Sequence, residues 1–198
     1  MLSEDSKYKA IFDVTPIPIW EEDFSDVKAY LTEINLMGKP EGEIRSILQN
    51  SPDITDECSK RIRIVDFNEA CLKLHNASDK KQLTANFHKL FLPETRAAII
   101  EEILCIVQGK TTLEMESKMQ TIDGLEKHIF MRWKVLPGSE ESLNEVLVTT
   151  EDISATKEVF RKQLEIESKL TEAQRIAKVG YFEYEPKTKE IFLVKRGI

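Results

Sequence analysis

The sequence is poor in the features that mark membrane proteins, disulfide-rich secreted proteins and nucleic-acid binders. Its apolar runs are only a few residues long, whereas a membrane-spanning helix needs roughly 20. Its three cysteines, Cys58, Cys71 and Cys105, are scattered and odd in number, which argues against a disulfide framework and favours a reducing cytoplasm. The net charge of −7 and the absence of a basic run argue against a nucleic-acid surface, because phosphate binding needs a concentrated basic field. We therefore expect a cytoplasmic location, no nucleic-acid partner and no direct membrane insertion.

Catalytic motifs are missing as well. There is no Gly-rich phosphate loop and no nucleophile elbow, and none of the three histidines begins a histidine-kinase phosphoacceptor motif. Cys71 and His75 lie one helical turn apart, but a tetrahedral metal site needs two further ligands, and the other cysteines and histidines have uninformative spacings. We predict no catalytic residues, no metal site and no enzyme activity in this chain. A small α+β enzyme that works in a concave pocket stays an alternative.

The stretch from residue 111 to residue 152 has the clearest pattern in the chain. Leu113, Met115 and Met119 lie at odd positions among mostly charged residues, which is the period of a half-buried strand. Asp123-Gly124 then supplies a strong signal for a tight hairpin turn. The returning strand carries its apolar residues at alternate positions, namely Ile129, Met131, Trp133 and Val135.

A third strand and a long helix follow the hairpin. Val146 and Val148 indicate one face of that strand, and Glu151-Asp152 leads into a helix predicted to begin near Ile153. Before the hairpin, apolar residues recur every three or four positions between residues 94 and 108, which predicts a longer helix with one buried side.

The first third of the chain predicts two short strands separated by helices. The strands are expected at residues 17–20 and 61–66, and helical stripes occupy residues 24–60 between them. The acidic cluster Glu21-Glu22-Asp23 is expected on the solvated surface, because nothing nearby supplies the remaining oxygen ligands of a cation site.

In this order, the elements resemble the PAS domain, a sensory module. The resemblance covers residues 8–152, and its most specific parts are Arg63–Ala70, the Asp123-Gly124 hairpin and Glu151–Ser154, which is similar to the acidic exit turn of the PAC motif. It implies an α+β fold with a five-stranded antiparallel sheet, flanking helices, a helical insertion at about residues 24–60, and a long C-terminal helix. It further implies signal transduction as the input module of a two-component protein such as a sensor histidine kinase.

The same resemblance implies a pocket on the concave face of the sheet, which the family uses for haem, flavin or small metabolites, or fills with side chains. The longer helix has no histidine for haem iron, and His75 and His88 could ligate iron only in a different geometry. Residues 85–90 have no cysteine for flavin photochemistry. Neither haem nor a photoactive flavin is expected, and the cofactor stays unknown. The alternatives are a small apolar or metabolite ligand and ordinary core packing, which is the expected role of each candidate residue taken singly. Candidate pocket residues are Leu72, Phe87, Leu90, Ile103, Val107, Met115, Met131, Trp133 and Val146.

The helix predicted for residues 153–178 carries a coiled-coil pattern, because its apolar positions alternate in steps of four and three. We expect it to pair with a second copy as a parallel homodimer, with Glu151 and Asp152 relaying a signal into it from the sheet. A solvated linker helix lying on its own domain is the alternative. The predicted seam residues are Val159, Ile166, Leu170 and Ala173, with Gln163 as the polar member.

A second resemblance follows this helix. Residues 173–184 are similar to the opening of another PAS domain, so residues 179–198 are expected to begin a second, truncated one. We expect the chain to be a fragment of a longer sensor with an effector domain downstream. The hypothesis is a sensory input module that binds a small ligand or partner, and the alternative is a dimerisation module without a ligand.

Overall fold

The chain forms two units, Met1–Ser154 and Ala155–Ile198, which are described separately. The computed structural model of the protein describes residues 4–87, 90, 96–177, 181–185 and 190–194.

The first unit is organised around a five-stranded antiparallel sheet. Its strand order is β2-β1-β5-β4-β3, so the two N-terminal strands extend the sheet made by the three C-terminal ones. The strands are β1 (Ile19–Asp23), β2 (Arg63–Phe67), β3 (Thr112–Gln120), β4 (Glu126–Val135) and β5 (Val146–Asp152).

The predicted hairpin and third strand are confirmed. β3 pairs with β4 in a register that places Met115 opposite Met131, and β4 pairs with β5 so that Ile129 lies opposite Asp152. Gly124 has a φ of +90° in the connecting turn, a backbone conformation that glycine adopts without a steric penalty. The alternating sequence therefore gives three adjacent strands with one shared buried face.

Seven helices of the described residues flank this sheet in the first unit, and three of them lie between β1 and β2 as the predicted insertion. The α+β, PAS-like fold predicted from the sequence is confirmed by this arrangement and by the long helix after β5. The helices are α1 (Glu4–Val14), α2 (Ser25–Glu33), α3 (Glu41–Asn50), α4 (Pro52–Arg61), α5 (Glu69–His75), α6 (Lys80–Asn86) and α7 (Arg96–Val107). None of the helices in the described part of the chain combines the length and hydrophobicity that a bilayer crossing requires.

Asn68 connects the N-terminal segment to the start of α5. It is completely buried, and its side-chain oxygen accepts hydrogen bonds from the backbone N–H groups of Ile19 and Cys71 at 3.1 and 3.3 Å. Its Nδ2 donates to the carbonyls of Phe12 and Ile17 at 3.1 and 2.8 Å. An N-cap with this many partners fixes the N-terminal segment against β1 and α5, because each buried polar group is satisfied.

The prediction that the acidic cluster lies on the solvated surface was wrong for two of its three residues. β1 continues through the cluster, and Glu22 and Asp23 are only 8% and 7% exposed. Strand periodicity explains the first case, because Glu22 follows the buried Trp20 by two positions and so lies on the same face of the sheet.

The second unit contains the helix α8 and a strand pair. α8 starts in the first unit at Ser154 and continues to Ala177. β6 (Tyr181–Glu185) and β7 (Glu190–Val194) form an antiparallel pair. The assignment of residues 179–198 to a second PAS domain stays a prediction, and residues 178–180, 186–189 and 195–198 lie outside the described residues.

Candidate functional site

A cavity of about 100 Å³ lies between the inner face of the sheet and the helices α5 and α7. Four strands contribute to it, and in β1, β4 and β5 the lining residues sit at alternate positions, whereas β3 contributes three consecutive residues, Ser117 to Met119. The lining is mostly apolar, but it includes two glutamates, a histidine, a serine, a threonine and a lysine. The described lining residues are Trp20, Glu22, Ile62, His75, Phe87, Leu90, Ala98, Ile99, Glu102, Ser117, Lys118, Met119, Ile129, Met131, Val148 and Thr150.

Three of the nine candidate pocket residues line this cavity, namely Phe87, Leu90 and Met131. The other six belong to the surrounding core, where Met115 is partly buried at its margin. Each of them lies near a lining residue in the sequence or on the inner face of the sheet, but its side chain packs in the core. These six residues are Leu72, Ile103, Val107, Met115, Trp133 and Val146.

Glu22 lines the cavity from β1, and the sequence analysis did not identify it as a site residue. Burial raises the pKa of its carboxyl group to about 7, because the ionised form loses its hydration. No hydrogen bond or charge from the described residues contributes to this shift. The signal that could have found it is its position two residues after Trp20.

Glu102 lines the cavity from the opposite side, on α7, and was also missed. It is 8% exposed and lies one helical turn after Ile99, on the helix face that carries apolar residues. Burial, with a smaller contribution from the negative charge of Glu22, raises the pKa of Glu102 to about 8. Glu22 is therefore close enough to affect the ionisation of Glu102, and a pair of this kind can hold a proton or a cation near neutral pH.

Two further polar side chains in the cavity wall lack partners within the described ranges. His75 is 4% exposed and its Nδ1 atom makes no hydrogen bond, and the same holds for the Oγ1 atom of Thr150, which is 7% exposed. Burial, with a smaller effect of the positive charge on Lys127, lowers the pKa of His75 to about 4. His75 is therefore neutral at neutral pH.

The cavity does not have the properties of a metal or large-cofactor site. Among the described residues, no group of three cysteine, histidine or acidic side chains could hold a metal ion. Cys71 donates a hydrogen bond from Sγ to the carbonyl of Ile19 at 3.3 Å, and burial raises the pKa of its thiol to about 12. A volume of about 100 Å³ has no room for a haem or flavin, since sites for drug-sized ligands occupy roughly 300–1,000 Å³. His88 lies outside the described residues.

The two predicted relay residues differ in their surroundings at the end of β5. Asp152 accepts a hydrogen bond from the N–H of Ser154 at 2.9 Å, and Lys127 lies 3.2 Å from its carboxylate. Burial alone would raise the pKa of Asp152, but these hydrogen bonds and the Lys127 charge hold it below its usual value. Glu151 is exposed and lies 3.8 Å from the guanidinium of Arg132. Only Asp152 therefore contacts the start of α8.

The predicted seam residues of α8 are all exposed in the single chain. Val159 and Ile166 are each 65% exposed, and Leu170 is 57% exposed. Within the helix, Lys162 lies 3.2 Å from Glu158 and Lys169 lies 2.6 Å from Glu165. The helix thus combines charged pairs at a spacing of four residues with an apolar stripe that includes Ala173.

Comparison with known proteins gives structural similarities only. No family model matches the sequence, and no curated protein is significantly similar to it. One similar solved structure is a PAS domain from Colwellia psychrerythraea, at 17% identity and a TM-score of 0.48, covering 77% of this chain and 99% of that one. Another is the PAS domain of a LuxR-family transcriptional regulator from Burkholderia thailandensis in complex with ethanol, at 14% identity and a TM-score of 0.46, covering 74% and 97%.

A third similar structure is a domain of a sensory box sensor histidine kinase/response regulator from Geobacter sulfurreducens. Its identity is 15% and its TM-score is 0.44, and the match covers 75% of this chain and 94% of that one. At these identities and TM-scores, the similarities say nothing about the ligand or partner of this chain.

Proposed function

We propose that this chain is a PAS sensory module that binds a small ligand in the cavity and passes the change in occupancy to α8. In this proposal α8 connects to an effector domain of the same protein, such as a histidine kinase, and the module itself performs no catalysis. The proposed location is the cytoplasm, where a reducing environment keeps the three buried cysteines as thiols.

The observation that carries the proposal is the short path from the cavity wall to the first residue of α8. Ile129 lines the cavity and lies directly opposite Asp152 in the β4–β5 ladder, while Met131 lies opposite Thr150. The residue before Ile129 is His128, whose carbonyl accepts a hydrogen bond from the N–H of Ile153 at 2.9 Å. A ligand that displaces Ile129 or Thr150 therefore moves the strand pair that holds the start of α8.

Two further hydrogen bonds hold the start of α8, and an ion pair holds Asp152 beside it. The N–H of His128 donates to Oγ of Ser154 at 2.9 Å, and the N–H of Ser154 donates to Asp152 at 2.9 Å. Lys127 lies 3.2 Å from the other carboxylate oxygen. The bonds from His128 to Ile153 and Ser154, and the contact of Lys127 with Asp152, join β4 to the segment that follows β5. A small shift between β4 and β5 therefore changes the direction in which α8 begins. A free-energy difference of a few kcal/mol between two arrangements is sufficient for a switch.

We propose that α8 pairs in parallel with a second copy through Val159, Ile166, Leu170 and Ala173. The spacing matches the heptad pattern, and the exposure of the apolar stripe in a single chain leaves it without a covering surface among the described residues. Gln163 lies in the same stripe, and a polar residue at one seam position specifies register at some cost in stability. Pairing of this kind converts a change at Ser154 into a rotation or a register shift of the helix pair.

A ligand-free dimerisation module is the second candidate, and the size of the cavity favours it. The cavity of about 100 Å³ is well below the roughly 300–1,000 Å³ of typical ligand sites. Native mass spectrometry of gently purified protein separates the two candidates, because it reports the number of copies and any retained ligand together. A dimer with retained ligand supports the sensor, and an empty dimer supports the second candidate.

The relay is tested without any ligand by filling the cavity with a side chain. Ala98 lines the cavity from α7, so Ala98→Leu adds three carbon atoms at that wall. The amides of Ile153 and Ser154 are the probes, and their hydrogen-exchange rates are measured by NMR. We expect Ala98→Leu to change both rates in the otherwise unchanged protein, and to leave the rate of Ser154 unchanged when Asp152→Ala, which removes the acceptor of the Ser154 N–H, is also present.

Glu151→Ala is the matched control for Asp152→Ala. Both changes remove one carboxylate at neighbouring positions, but Glu151 does not contact Ser154. We expect Glu151→Ala to retain the response to Ala98→Leu. An equal response of Ser154 in the Asp152→Ala background would contradict the relay, whatever the cavity binds.

A further inference from the structure

The cavity described above contains more polar groups than a packed core requires. Glu22 and Glu102 face it from opposite sides, and His75 and Thr150 add two buried polar atoms without partners in the described residues. Buried carboxyl groups without partners are costly, so a ligand that supplies hydrogen-bond donors and positive charge would be strongly favoured over an apolar one.

We propose that the cavity binds a short primary alkylammonium ion, with its ammonium group between the carboxylates of Glu22 and Glu102 and its alkyl chain against the apolar wall. The proposal rests on the proposed sensory function and names the ligand class of the same site. An ammonium group has three N–H donors. The two carboxylates accept two of them, and Nδ1 of His75 or Oγ1 of Thr150 accepts the third.

The charges in and around the cavity support a cation over an anion or a neutral molecule. Lys118 is the one cationic residue among the described lining residues, and its side chain is 40% exposed, with its ammonium 3.9 Å from Glu126. His75 is neutral at neutral pH because burial lowers its pKa. The two glutamates can lose their protons near neutral pH. An ammonium ion compensates the negative charge that this creates in the cavity, whereas an anion would oppose it.

The volume of the cavity limits the length of the alkyl chain. A cavity of about 150 Å³ holds benzene, which has six carbon atoms, so a cavity of about 100 Å³ holds roughly four non-hydrogen atoms at the same density. Propylammonium has this size. Hexylammonium exceeds it and is expected to bind more weakly despite its larger apolar surface.

Ligand binding to the full chain is measured by isothermal titration calorimetry and by the shift in melting temperature. The probes are propylammonium chloride, 1-propanol as the neutral molecule of equal size, and sodium propionate as the anion, all at constant ionic strength. We expect propylammonium to bind at least about tenfold more tightly than either of the other two. Its binding at pH 7.5 should release protons to the buffer, because the pKa values of Glu22 and Glu102 lie near 7 and 8.

Glu102→Gln and its neighbour Glu101→Gln form a matched pair of variants. Both replace one carboxyl group of α7 by an amide, but Glu101 pairs with Arg45 at 2.7 Å and does not line the cavity. We expect Glu102→Gln to weaken propylammonium binding at least about tenfold and Glu101→Gln to leave it unchanged.

Three outcomes would overturn the proposal: no binding of propylammonium, equal binding of 1-propanol, or equal affinity of the Glu102→Gln variant. None of them decides the relay, which is tested by Ala98→Leu without any ligand. Conversely, tight propylammonium binding with no relay through Asp152 would leave this binding site in place and remove the proposed sensory function.

Discussion

The cavity and the packed core beside it border the same face of the sheet, but they differ in how they accommodate buried groups. In the packed part, Trp133 is 1% exposed and contacts the ring of Phe24 in an edge-on arrangement, with centroids 5.5 Å apart. In the cavity, about 100 Å³ stays open beside Glu22 and Glu102. Buried side chains therefore pack closely in one region and border open space in the other.

Two consecutive acidic residues of β1 provide a second comparison, because their burial is nearly equal and their pKa values shift in opposite directions. Glu22 and Asp23 are almost equally buried, but the pKa of Glu22 rises to about 7 and that of Asp23 falls. Burial alone would raise the pKa of Asp23 as well, but the hydrogen bond from the N–H of Ser25 at 2.8 Å and the contact with Arg63 outweigh it. The partner, and not the degree of burial, decides whether a buried acid is ionised.

The largest effect is expected from Trp133→Ala, which tests whether Trp133 belongs to the packed region. Removing a fully buried aromatic side chain should lower the free energy of unfolding by about 3–5 kcal/mol. Denaturant unfolding measures this, with Val65→Ala as the control, because Val65 is 52% exposed and its truncation should change the stability by less than about 0.5 kcal/mol. A weakened ligand affinity with an unchanged melting temperature would instead assign Trp133 to the cavity.

An effect of a few kcal/mol is expected from Glu102→Gln, and it should depend on pH. The folded-state pKa of Glu102, about 8, lies above its unfolded value of about 4.5, so the folded protein binds more protons than the unfolded one between these values. The wild-type protein should therefore lose stability as the pH rises from about 4.5 to 8, at up to about 1.4 kcal/mol for each pH unit per group. Glutamine stays neutral, so the variant should be less dependent on pH.

Urea unfolding at a series of pH values measures this difference. The stability of Glu102→Gln relative to the wild-type protein should increase from pH 5 to pH 8, and Glu101→Gln should give a curve parallel to that of the wild-type protein. Parallel curves for both variants would mean that Glu102 ionises as an ordinary surface acid, and the contrast between the two regions would be lost for this residue.

A smaller effect of opposite sign is expected from Asp23→Asn. The change removes the negative charge that Arg63 and Ser25 stabilise, so the free energy of unfolding at pH 7 should fall by about 1–2 kcal/mol. The side chain of Arg63 is 66% exposed, and solvent screening therefore limits the effect. Because the pKa of Asp23 in the folded protein lies below the ordinary 3.8, the difference from wild type should disappear as the pH falls through this folded-state pKa.

Glu22→Gln is the matched variant, and it should stabilise the protein at pH 7 because burial raises the pKa of Glu22. The same sign of the stability change for both variants would contradict the comparison.

Much of the fold could be predicted from the sequence because the relevant signals are local. Period-two alternation and Asp123-Gly124 predicted the hairpin, and Glu151-Asp152 predicted the transition from strand to helix within one residue of Ser154. The cavity could not be predicted from the same local signals. Period two identifies the face on which Met131 and Trp133 lie, but it does not tell which of them meets a helix side chain and which borders open space.

The sequence alone determined the three C-terminal strands, their buried face and the exit helix, because hydrophobic periodicity and turn chemistry act between residues that are near one another in the chain. Only the tertiary structure brought Glu22 of β1 and Glu102 of α7 to one cavity, since 80 residues separate them and no local pattern links a strand position to a helix position. The desolvation that raises both pKa values has the same origin, because it depends on every element that excludes water from the cavity and not on the neighbours of either glutamate in the sequence.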